Sequence, residues 1–555
     1  MAPVRTTLRW EPPPACTPAR RNELMGPGGP FELTEADVVG ARHDVFVQRF
    51  PHLRALFEDG IARHAGRPYL VDGDRTVTFG EAARLVANTA AALREEHGIA
   101  RGDRVAIAAA NRFEHVITIW AVVVLGGCVV GLNAWWTGAE LEYGIRLTDP
   151  KLVIGDAARL ARLDALVPEV PRRDLDDACP AWFDGNEQLP TEPIDEDDPF
   201  VILFTSGTTG KPKGAVLTHR NNIHWAQSIA LRSAAADVTP MQSCELAALP
   251  LFHVSGLTAQ AIPAVANGTK LVYPLPPGRW SPEQQLQLTE EHGVTAWRLV
   301  PTQAWRLLEF PDVDEYDVSS LRSIVGGGSI WTPQLLERLV AQWPQARSGL
   351  INGFGMTETC GTGASAVMPG VLEHPGSVGS PPPLADLRIC VPGTDVQVDD
   401  GEEGEIQIRS ASVFPGYYAD PDATRAALDE HRWYRSGDFG RIEDGRLYLA
   451  GRRSDLILRG GENIYPAEIE DRLRAHADIA DVVVIGVPDR VLGEEVKAIV
   501  VARPGSQLDV DEIRTWAAAA LAPYKVPAHV EFRDRLPRNA TGKVMKHKLR
   551  EQVAQ

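Results

Sequence analysis

The stretch FVILFTSGTTGKPKG, residues 200–214, decides the fold and points to the chemistry. Its first five letters are β-branched, aliphatic and aromatic residues that predict a buried strand. The following TSGTTGKPKG combines glycines, hydroxyl-bearing residues and two lysines, a composition that suits a phosphate cradle. Ligands of parallel α/β sheets bind at the carboxyl ends of strands, so this loop lies where a ligand is expected.

The loop is not a Walker phosphate loop, which requires Gly-x-x-x-x-Gly-Lys-Ser/Thr. Around the pair Gly210-Lys211, the positions that need glycine and a hydroxyl residue hold Thr205 and Pro212. A bare glycine-rich surface turn is the other reading, but so long a run of such residues after a buried strand disfavours it. We therefore expect backbone N–H groups and hydroxyls that wrap the β- and γ-phosphates of a nucleotide. The cradle residues are Thr205, Ser206, Gly207, Thr208, Thr209, Gly210 and Lys211.

The chain has 555 residues, too many for one hydrophobic core, and its patterns change along its length. Strands alternate with helices from about residue 50, which predicts an α/β fold of mostly parallel, helix-covered sheets. The pattern then becomes β-rich before a final segment with its own strands and helices. The predicted units are a proline-rich N-terminal extension (1–48), a large N-terminal domain (49–451, with a β subdomain at about 385–451), a hinge (452–455) and a small mobile α+β C-terminal domain (456–555).

Individual elements follow from hydrophobic periodicity. LRALFEDGIARHA and FGEAARLVANTAAALREEH have helical spacing, and the apolar run at 116–132 reads as a buried helix leading into a buried strand rather than a membrane span. The predicted strands are RVAIAA, KLVIGD, FVILF, KLVYP and SIVGGG in the large domain, LRICV, TDVQV, GEIQIRS and GRLYLA in the subdomain, and DVVVIGV and VKAIVVAR near the end.

Composition excludes several classes of protein. The net charge is −18, and the sequence has no block of basic residues, so a nucleic-acid partner is not expected. Six cysteines without a Cys-x-x-Cys pair are typical of reduced thiols in a cytoplasmic protein. The first residues lack the apolar run of a secretory signal.

Further motifs occur in a fixed order along the chain: LPLFHVSG (249–256), GFGMTET (353–359), YRSGD (434–438), GRRSDLILRGGENIYPAEIE (451–470) and PRNATGKVMK (537–546). Together with TSGTTGKPKG they resemble the motifs of the adenylate-forming superfamily, which includes acyl-CoA synthetases, peptide-synthetase adenylation domains and firefly-type luciferases. The resemblance runs from about residue 50 to the end, and it implies a large AMP-binding domain followed by a mobile smaller one.

The resemblance assigns roles in joining a carboxylic acid to ATP. Glu358 and Thr205 would ligate Mg²⁺, and Thr357 would contact the α-phosphate. Phe354 would stack on adenine, although the family more often has Tyr there, and Asn352 would bond the adenine amine. Asp438 would accept both ribose hydroxyls, since a carboxylate is an acceptor only. Close backbone approach or further nucleotide contact is assigned to Gly326, Gly327, Gly328, Gly355 and Arg452.

Other assignments concern the two half-reactions. Lys543 would bridge the attacking carboxylate and the α-phosphate, and His253 would stand at the mouth of the acyl pocket. After rotation of the C-terminal domain, Gly460 and Gly461 would line a tunnel for the pantetheine arm of CoA. At the hinge the family generally has Asp or Lys where this chain has Ser454, followed by Asp455.

The substrate is expected to be a fatty or aryl acid. Val254 replaces the aspartate that would pair with an α-amino group, and a buried ammonium there would be costly. We expect the pocket to be lined by residues 253–256, Trp297, Val300, the GGGS run and residues 361–363, with Trp297 either capping it or lying along it.

An acyl-CoA ligase using ATP, Mg²⁺ and CoA is the favoured function, in a monomer or homodimer. Two alternatives stay open. One is transfer of the acyl group to an amine or a carrier-protein thiol, and the other is a non-catalytic adenylate-binding protein. The extension could act as a lid, an oligomer contact or a tail.

Overall fold

In the computed structural model, residues 5–163, 166–205, 212–237, 243–277, 280–327, 331–452, 455, 457–459, 462–464, 466–489, 492–521, 523–538 and 544–553 are described. Two mixed β-sheets, a smaller antiparallel sheet, a two-stranded hairpin and a separate C-terminal sheet organise these residues. The α/β class predicted from the alternating pattern is confirmed.

The first mixed sheet carries the strand that opens the phosphate loop. Five consecutive strands are parallel and reach one edge, and two antiparallel strands form the other edge within the described residues. In spatial order the strands are Gly416–Tyr417, Lys213–Thr218, Pro199–Thr205, Cys128–Gly131, Arg104–Ala108, Leu152–Gly155 and Arg172–Asp174.

The second mixed sheet provides the other wall of the site. Six strands are parallel, with an antiparallel strand at each edge. In spatial order they are Gly363–Val367, Gly349–Gly355, Ser323–Gly326, Ala296–Leu299, Cys244–Leu246, Lys270–Tyr273, Pro68–Asp72 and Arg75–Thr78.

The long apolar run is a buried element of the core, as expected. Helix Phe113–Val124 is buried along its whole length, and strand Cys128–Gly131 follows it. Leu125 ends the helix and Gly126, at φ 73°, lets the chain reverse. No helix in the described part of the chain combines the length and apolar character needed to cross a bilayer.

Helices cover both mixed sheets, and several begin with the capping residues that the sequence supplies. Thr78 and Glu81 form a capping box that starts helix Phe79–His97, and Gly98 ends it in the left-handed conformation. The large domain's α-helices are Pro18–Met25, Leu53–His64, Phe79–His97, Phe113–Val124, Gly138–Thr148, Ala157–Leu160, Leu175–Trp182, His219–Ala235, Val254–Gly256, Ile262–Asn267, Pro282–His292, Pro301–Leu308, Pro333–Gln342, Gly370–Glu373 and Pro421–Ala427.

The β subdomain is an antiparallel sheet. Its strands, in spatial order, are Leu8–Arg9, Ala385–Cys390, Gly404–Ser410, Tyr434–Glu443, Arg446–Arg452 and Ser377–Gly379. The strand predicted for TDVQV is wrong: Gln397 makes an isolated bridge to Cys390, and the other residues of the segment belong to no strand. Gly393 turns the chain at φ 74°, and the N–H of Val396 donates to Thr394 Oγ1. The N–H groups of Val391 and Val398 donate to the Val396 and Ile389 carbonyls, so the segment bonds to the subdomain strand through one bridge rather than as a full strand.

The N-terminal extension is packed on the large domain over its described residues. Strand Leu8–Arg9 pairs with the subdomain, and hairpin Leu33–Val38/Ala41–Phe46 follows. Leu24 and Phe46 are buried in one cluster with Leu231 and Ala235 of helix His219–Ala235. The extension therefore covers the outer side of that helix.

The C-terminal segment forms its own sheet and core. The strands predicted for DVVVIGV and VKAIVVAR are confirmed as Ile479–Asp489 and Gly493–Ala502. The remaining elements are strands Ile457–Arg459, Glu462–Ile464 and His529–Phe532 and helices Pro466–Arg474, Val510–Ala518 and Lys546–Val553. Arg503 pairs with Glu309 of the large domain at 3.1 Å.

Candidate active site

The strand that opens the predicted phosphate loop ends at the cleft between the two domains. Thr205 is its last residue and pairs with Lys213 of the next strand. The Tyr143 hydroxyl donates to the Pro212 carbonyl over 3.1 Å, which fixes the point where the chain re-enters the sheet. The other predicted cradle residues lie outside the described residues: Ser206, Gly207, Thr208, Thr209, Gly210 and Lys211.

Two neighbouring strands bring glycine backbone together in the wall of the cleft that Thr205 also lines. Gly326 and Asn352 are register partners in parallel strands, and a Cβ on Gly353 would lie 3.3 Å from the Gly326 carbonyl oxygen. A Cβ on Gly326 would come within 2.4 Å of the Trp331 ring, so only glycine fits there. Gly327 lines the same wall, and Gly328 lies outside the described residues.

Asn352 carries a buried hydrogen-bond acceptor that the described residues leave unused. Its Nδ2 donates to the Ser377 carbonyl over 3.3 Å, whereas its Oδ1 accepts no hydrogen bond. A buried unsatisfied oxygen costs about 1–3 kcal/mol, which a donor from a ligand would recover. Phe354, two residues along the strand, is partly buried and lines the cleft with Gly355.

An acidic corner follows directly after this strand. Thr357 and Glu358 lie in a 3-10 turn, and both are buried. The Tyr417 hydroxyl donates to Glu358 Oε1 over 2.9 Å, and the Phe414 N–H donates to the Glu358 carbonyl over 2.8 Å. Burial, followed by the adjacent Glu358 carboxylate, raises the pKa of Tyr417, so its hydroxyl remains a proton donor.

The Glu358 carboxylate fits a magnesium ion. It lines the cleft, and its Oε2 accepts no hydrogen bond from the described residues, so one oxygen is available while Tyr417 holds the other. Mg²⁺ prefers carboxylate and phosphate oxygens. Thr205, the second predicted ligand, lines the same cleft.

The β subdomain contributes Asp438. This residue is 8% exposed, and its register partner on the adjacent strand is Arg452. Ser436 Oγ accepts from the Asp438 N–H over 3.1 Å and donates to the Ile406 carbonyl over 2.7 Å, which ties the carboxylate-bearing strand to its neighbour.

A polar clamp positions the segment that carries His253. Asn111 Nδ2 donates to the carbonyls of Ala247 and Leu249 over 3.1 and 2.6 Å. Its Oδ1 accepts from the Leu251 N–H over 3.0 Å. One asparagine therefore satisfies three backbone groups of an irregular segment, which fixes where His253 stands.

His253 starts an unusual helix. Its Nδ1 lies 2.9 Å from Ser255 Oγ and accepts from the Ser255 N–H at 3.3 Å. The following turn contains a π-helical segment, Leu257–Ala261, a form that is frequent at functional sites. Gly256 is required there because a Cβ would lie 2.2 Å from the Pro250 carbonyl oxygen.

The wall beside His253 is mostly apolar. Val254 and Trp225 line the cleft, and a Cβ on Gly361 would lie 3.7 Å from Trp225 Nε1 and 4.0 Å from Val254 Cγ2. Gly361 has φ 85°, a left-handed conformation that glycine adopts without strain. These residues form one continuous surface next to the histidine.

Trp297 does not line this pocket, which corrects the expectation from sequence. Its ring is fully buried, packs edge-on against Trp343 at 4.9 Å and donates through Nε1 to Thr289 Oγ1 over 2.9 Å. Successive side chains of a strand point to opposite faces, so Arg298 lines the cleft instead. Glu245 pairs with Arg298 at 2.8 Å and cancels its charge locally.

The C-terminal domain lies on the other side of the cleft. Arg538 NH1 donates to Thr302 Oγ1 of the large domain over 3.2 Å and forms an isolated bridge with Val544. These two residues flank Lys543, which lies outside the described residues, as do Gly460, Gly461 and Ser454. Asp455 accepts from Arg550 over 3.2 Å.

One cleft thus gathers most of the predicted groups within the described part of the chain. Its volume is about 3440 Å³, and it is lined by Thr205, His253, Gly327, Phe354, Gly355, Thr357, Glu358 and Asp438. Asn352, two residues before Phe354 on the same strand, is buried. Sequence reasoning missed Tyr417 and Asn111, whose partners are 59 and at least 136 residues away, so no local signal marked them.

Comparison with known proteins gives consistent matches over most of the chain. The AMP-binding enzyme family matches residues 57–418, and the AMP-binding enzyme C-terminal domain matches residues 468–543. A feruloyl-CoA synthase from Amycolatopsis sp is 34% identical over 493 residues, 86% of this chain and 94% of that one. A long-chain-fatty-acid–CoA ligase from Bacillus subtilis is 31% identical over 540 residues, 90% and 94% of the two chains.

Among solved structures, O-succinylbenzoate coenzyme A synthetase (MenE) from Bacillus subtilis, in complex with ATP and magnesium ion, has a TM-score of 0.77 at 30% identity. The match covers 90% of this chain and 99% of that chain. The chain therefore belongs to the AMP-binding enzyme family of adenylate-forming proteins, in the branch of the acyl-CoA synthetases.

Proposed function

We propose that the protein activates a fatty or aryl carboxylic acid with ATP and passes the acyl group to CoA. In the first step a carboxylate oxygen bonds to the α-phosphorus, the bond to the bridging oxygen breaks, and pyrophosphate leaves. In the second step the CoA sulfur bonds to the acyl carbon, AMP leaves, and the thiol proton is released. The protein is thus an AMP-forming acid–thiol ligase.

The observation that carries the nucleotide assignment is the unused Asn352 Oδ1. This buried acceptor lies beside the glycine-walled end of two parallel strands, where flat aromatic rings can approach the backbone. An adenine amine would supply the missing donor, with Phe354 on the ring face. Asp438 would then accept the ribose hydroxyls from the subdomain side of the cleft.

The first step brings two anions together, so catalysis depends on positioning and on neutralising charge. Magnesium, when bound, would draw charge from the phosphates. Glu358 and Thr205 would hold it, and Thr357 would donate to the α-phosphate. Lys543, from the C-terminal domain, would neutralise charge between the carboxylate and the phosphorus. The Tyr417 hydroxyl keeps the Glu358 carboxylate in place.

The acid is proposed from the chemistry of the pocket wall. Trp225, Val254 and Gly361 present an apolar surface beside His253, which favours an alkyl chain or an aryl ring. An α-ammonium would face Val254 without a carboxylate partner, so amino acids should be poor substrates. CoA is the proposed acceptor.

The test uses purified protein, Mg-ATP and a panel of fatty and aryl acids, with and without CoA, followed by mass spectrometry. Acyl-CoA together with AMP supports the proposal, and the preferred acid defines the pocket. Accumulation of acyl-AMP that CoA does not consume would overturn the acceptor while keeping adenylation. Formation of neither product with any acid would overturn the function.

A further inference from the structure

One arginine in the wall of the cleft, Arg232, is not used in the reaction described above. Arg232 lies near the end of helix His219–Ala235 and lines the cleft with Trp225 and Ile229 of the same helix. Positions 225, 229 and 232 recur at helical spacing, so the three side chains share one face. The helix face that lines the cleft is therefore apolar at Trp225 and Ile229 and carries a guanidinium at Arg232.

The partners of Arg232 are neutral. NH1 donates to Ser365 Oγ over 2.6 Å and NH2 donates to the Ser365 carbonyl over 2.9 Å. No carboxylate among the described residues lies within 4.0 Å of it, whereas Arg298 in the same cleft is neutralised by Glu245 at 2.8 Å. Burial lowers the pKa of Arg232, the direction expected of a cation without an anion beside it.

Leaving a partly buried guanidinium without a negative partner is costly, and a bound anion would offset that cost. Arginine offers a planar fork of N–H donors that matches a carboxylate in two-point geometry. Two of the five donors are used by Ser365, which leaves others for a ligand.

The position of Arg232 relates it to the far end of the acid. Trp225, which meets the wall beside Gly361, precedes it by seven residues, a rise of about 10 Å along the helix. Ser365 is the register partner of Gly353, and Gly363 is the register partner of Gly355, which precedes Thr357 by two residues. The two pairs are two residues apart along the strands, a distance of roughly 7 Å. A group bound by Arg232 would thus sit several bonds from the reacting carboxylate.

The extension holds this end of the helix in place. Leu231 and Ala235 flank Arg232 in sequence and are buried against Leu24 and Phe46 of the extension. The helix cannot rotate to expose the arginine without breaking that cluster. Its guanidinium is therefore preorganised toward the cleft.

We propose that the acid carries a second anionic group, a carboxylate at the end remote from the reacting one, and that Arg232 selects it. This inference rests on the proposed function and narrows its substrate class to ω-carboxy fatty acids or carboxy-substituted aryl acids. The apolar wall between Trp225 and Arg232 would accommodate the intervening chain or ring.

The test compares diacids with monoacids of equal length. Hexanedioic, octanedioic and decanedioic acids and 4-carboxycinnamic acid are each paired with hexanoic, octanoic, decanoic and cinnamic acids in ATP–pyrophosphate exchange. The wild-type protein, Arg232→Gln, Arg232→Lys and a control, Arg306→Gln, are assayed, with melting curves for each. Arg306 is an exposed arginine at the same cleft and lies over the Trp280 ring.

For the best diacid, kcat/KM should exceed that of its monoacid partner in the wild-type protein. Arg232→Gln should lower it about 10- to 100-fold, the range for one ionised hydrogen-bonded contact. The monoacid value should change by less than about threefold. Arg232→Lys should restore part of the preference, since it keeps the charge, and Arg306→Gln should leave the preference unchanged.

Three results would overturn the inference: no diacid is preferred, both acids lose activity equally in Arg232→Gln, or Arg306→Gln has the same effect. An equal loss of kcat/KM for diacid and monoacid would mean that Arg232 serves only to hold Ser365 in place through its two hydrogen bonds. If no acid supports exchange, the proposed function fails, and calorimetry of octanedioic acid with both proteins decides the inference separately. Weaker binding to Arg232→Gln would then support it, and equal binding would overturn it.

Discussion

The hydrogen bond between Tyr417 and Glu358 makes the sharpest test of how the acidic corner works. In Tyr417→Phe the ring remains, but Glu358 Oε1 loses the hydroxyl that donates to it over 2.9 Å. Glu358 is only 7% exposed, so water cannot fully replace that donor. A hydrogen bond to an ionised group is worth about 1.5–3 kcal/mol, or roughly 10- to 150-fold.

We expect a value near the low end of that range, because Glu358 borders the cleft and water can reach part of it. The concentration of free Mg²⁺ that gives half-maximal ATP–pyrophosphate exchange should rise about tenfold, as it does when outer-shell partners of metal ligands are removed. The KM for the acid should stay unchanged. Because the pKa of Tyr417 is raised, the loss should not depend on pH in the neutral range.

The neighbouring Tyr418→Phe serves as the matched control. The Tyr418 ring lies 5.5 Å from the Arg104 guanidinium, and its hydroxyl makes no hydrogen bond to the described residues. Exchange should be followed at saturating ATP over a range of free Mg²⁺, with melting curves to detect lost stability. An unchanged Mg²⁺ dependence in Tyr417→Phe, or an equal change in Tyr418→Phe, would refute the argument.

Four further outcomes can be checked with standard assays. Asn352→Ala should remove most of a preference for ATP over ITP, since ITP lacks the amine that would donate a hydrogen bond to Oδ1; exchange rates with the two nucleotides measure this preference. Lys543→Ala should slow acyl-AMP formation by at least about 100-fold while AMP binding by calorimetry persists. Trp297→Phe should lower the melting temperature without altering acid preference, because the ring is buried away from the cleft. Burial lowers the pKa of His43 and His224 from 6.5 to about 4, so both are neutral in the folded protein above that pH. The melting temperature should therefore be highest above pH 6.5 and fall as the pH drops toward 4, and His224→Asn should make that fall shallower.

The difference between what the sequence predicted and what it missed has a physical reason. Helix Phe79–His97 was predictable because its apolar spacing and Thr78–Glu81 cap are local. The side of the sheet on which Trp297 lies was not predictable. Both faces of a helix-covered sheet are apolar, so the residue pattern of the strand does not show which face borders the cleft. The extension's packing depends on pairing Leu8 with Leu387, a contact that proline-rich composition does not reveal.

The candidate site follows the same division. Residues such as Asp438 and Glu358 were proposed because their motifs resemble those of the family, but Tyr417 reaches Glu358 only through the pairing of Gly416–Tyr417 with the strand Lys213–Thr218. Arg232 belongs to no recognised motif, and its proposed role in binding a second carboxylate depends on the absence of a carboxylate partner among the described residues around it. The family motifs therefore identified residues that line the cleft, whereas the residue proposed to set the substrate carries no motif.

The arrangement of the site also separates binding from chemistry. Thr205, Gly326 and Gly355 end strands of the two mixed sheets, and Asp438 comes from the subdomain, so these four groups proposed for the nucleotide belong to the large domain. Lys543 belongs to the C-terminal segment, which contacts the large domain through Arg538 and Arg503. A charge supplied from a separate domain can be withdrawn after acyl-AMP has formed, which would open the cleft for the CoA thiol. Retained AMP binding with lost exchange in Lys543→Ala is the pattern this division requires; joint loss of both would place the lysine in nucleotide binding instead.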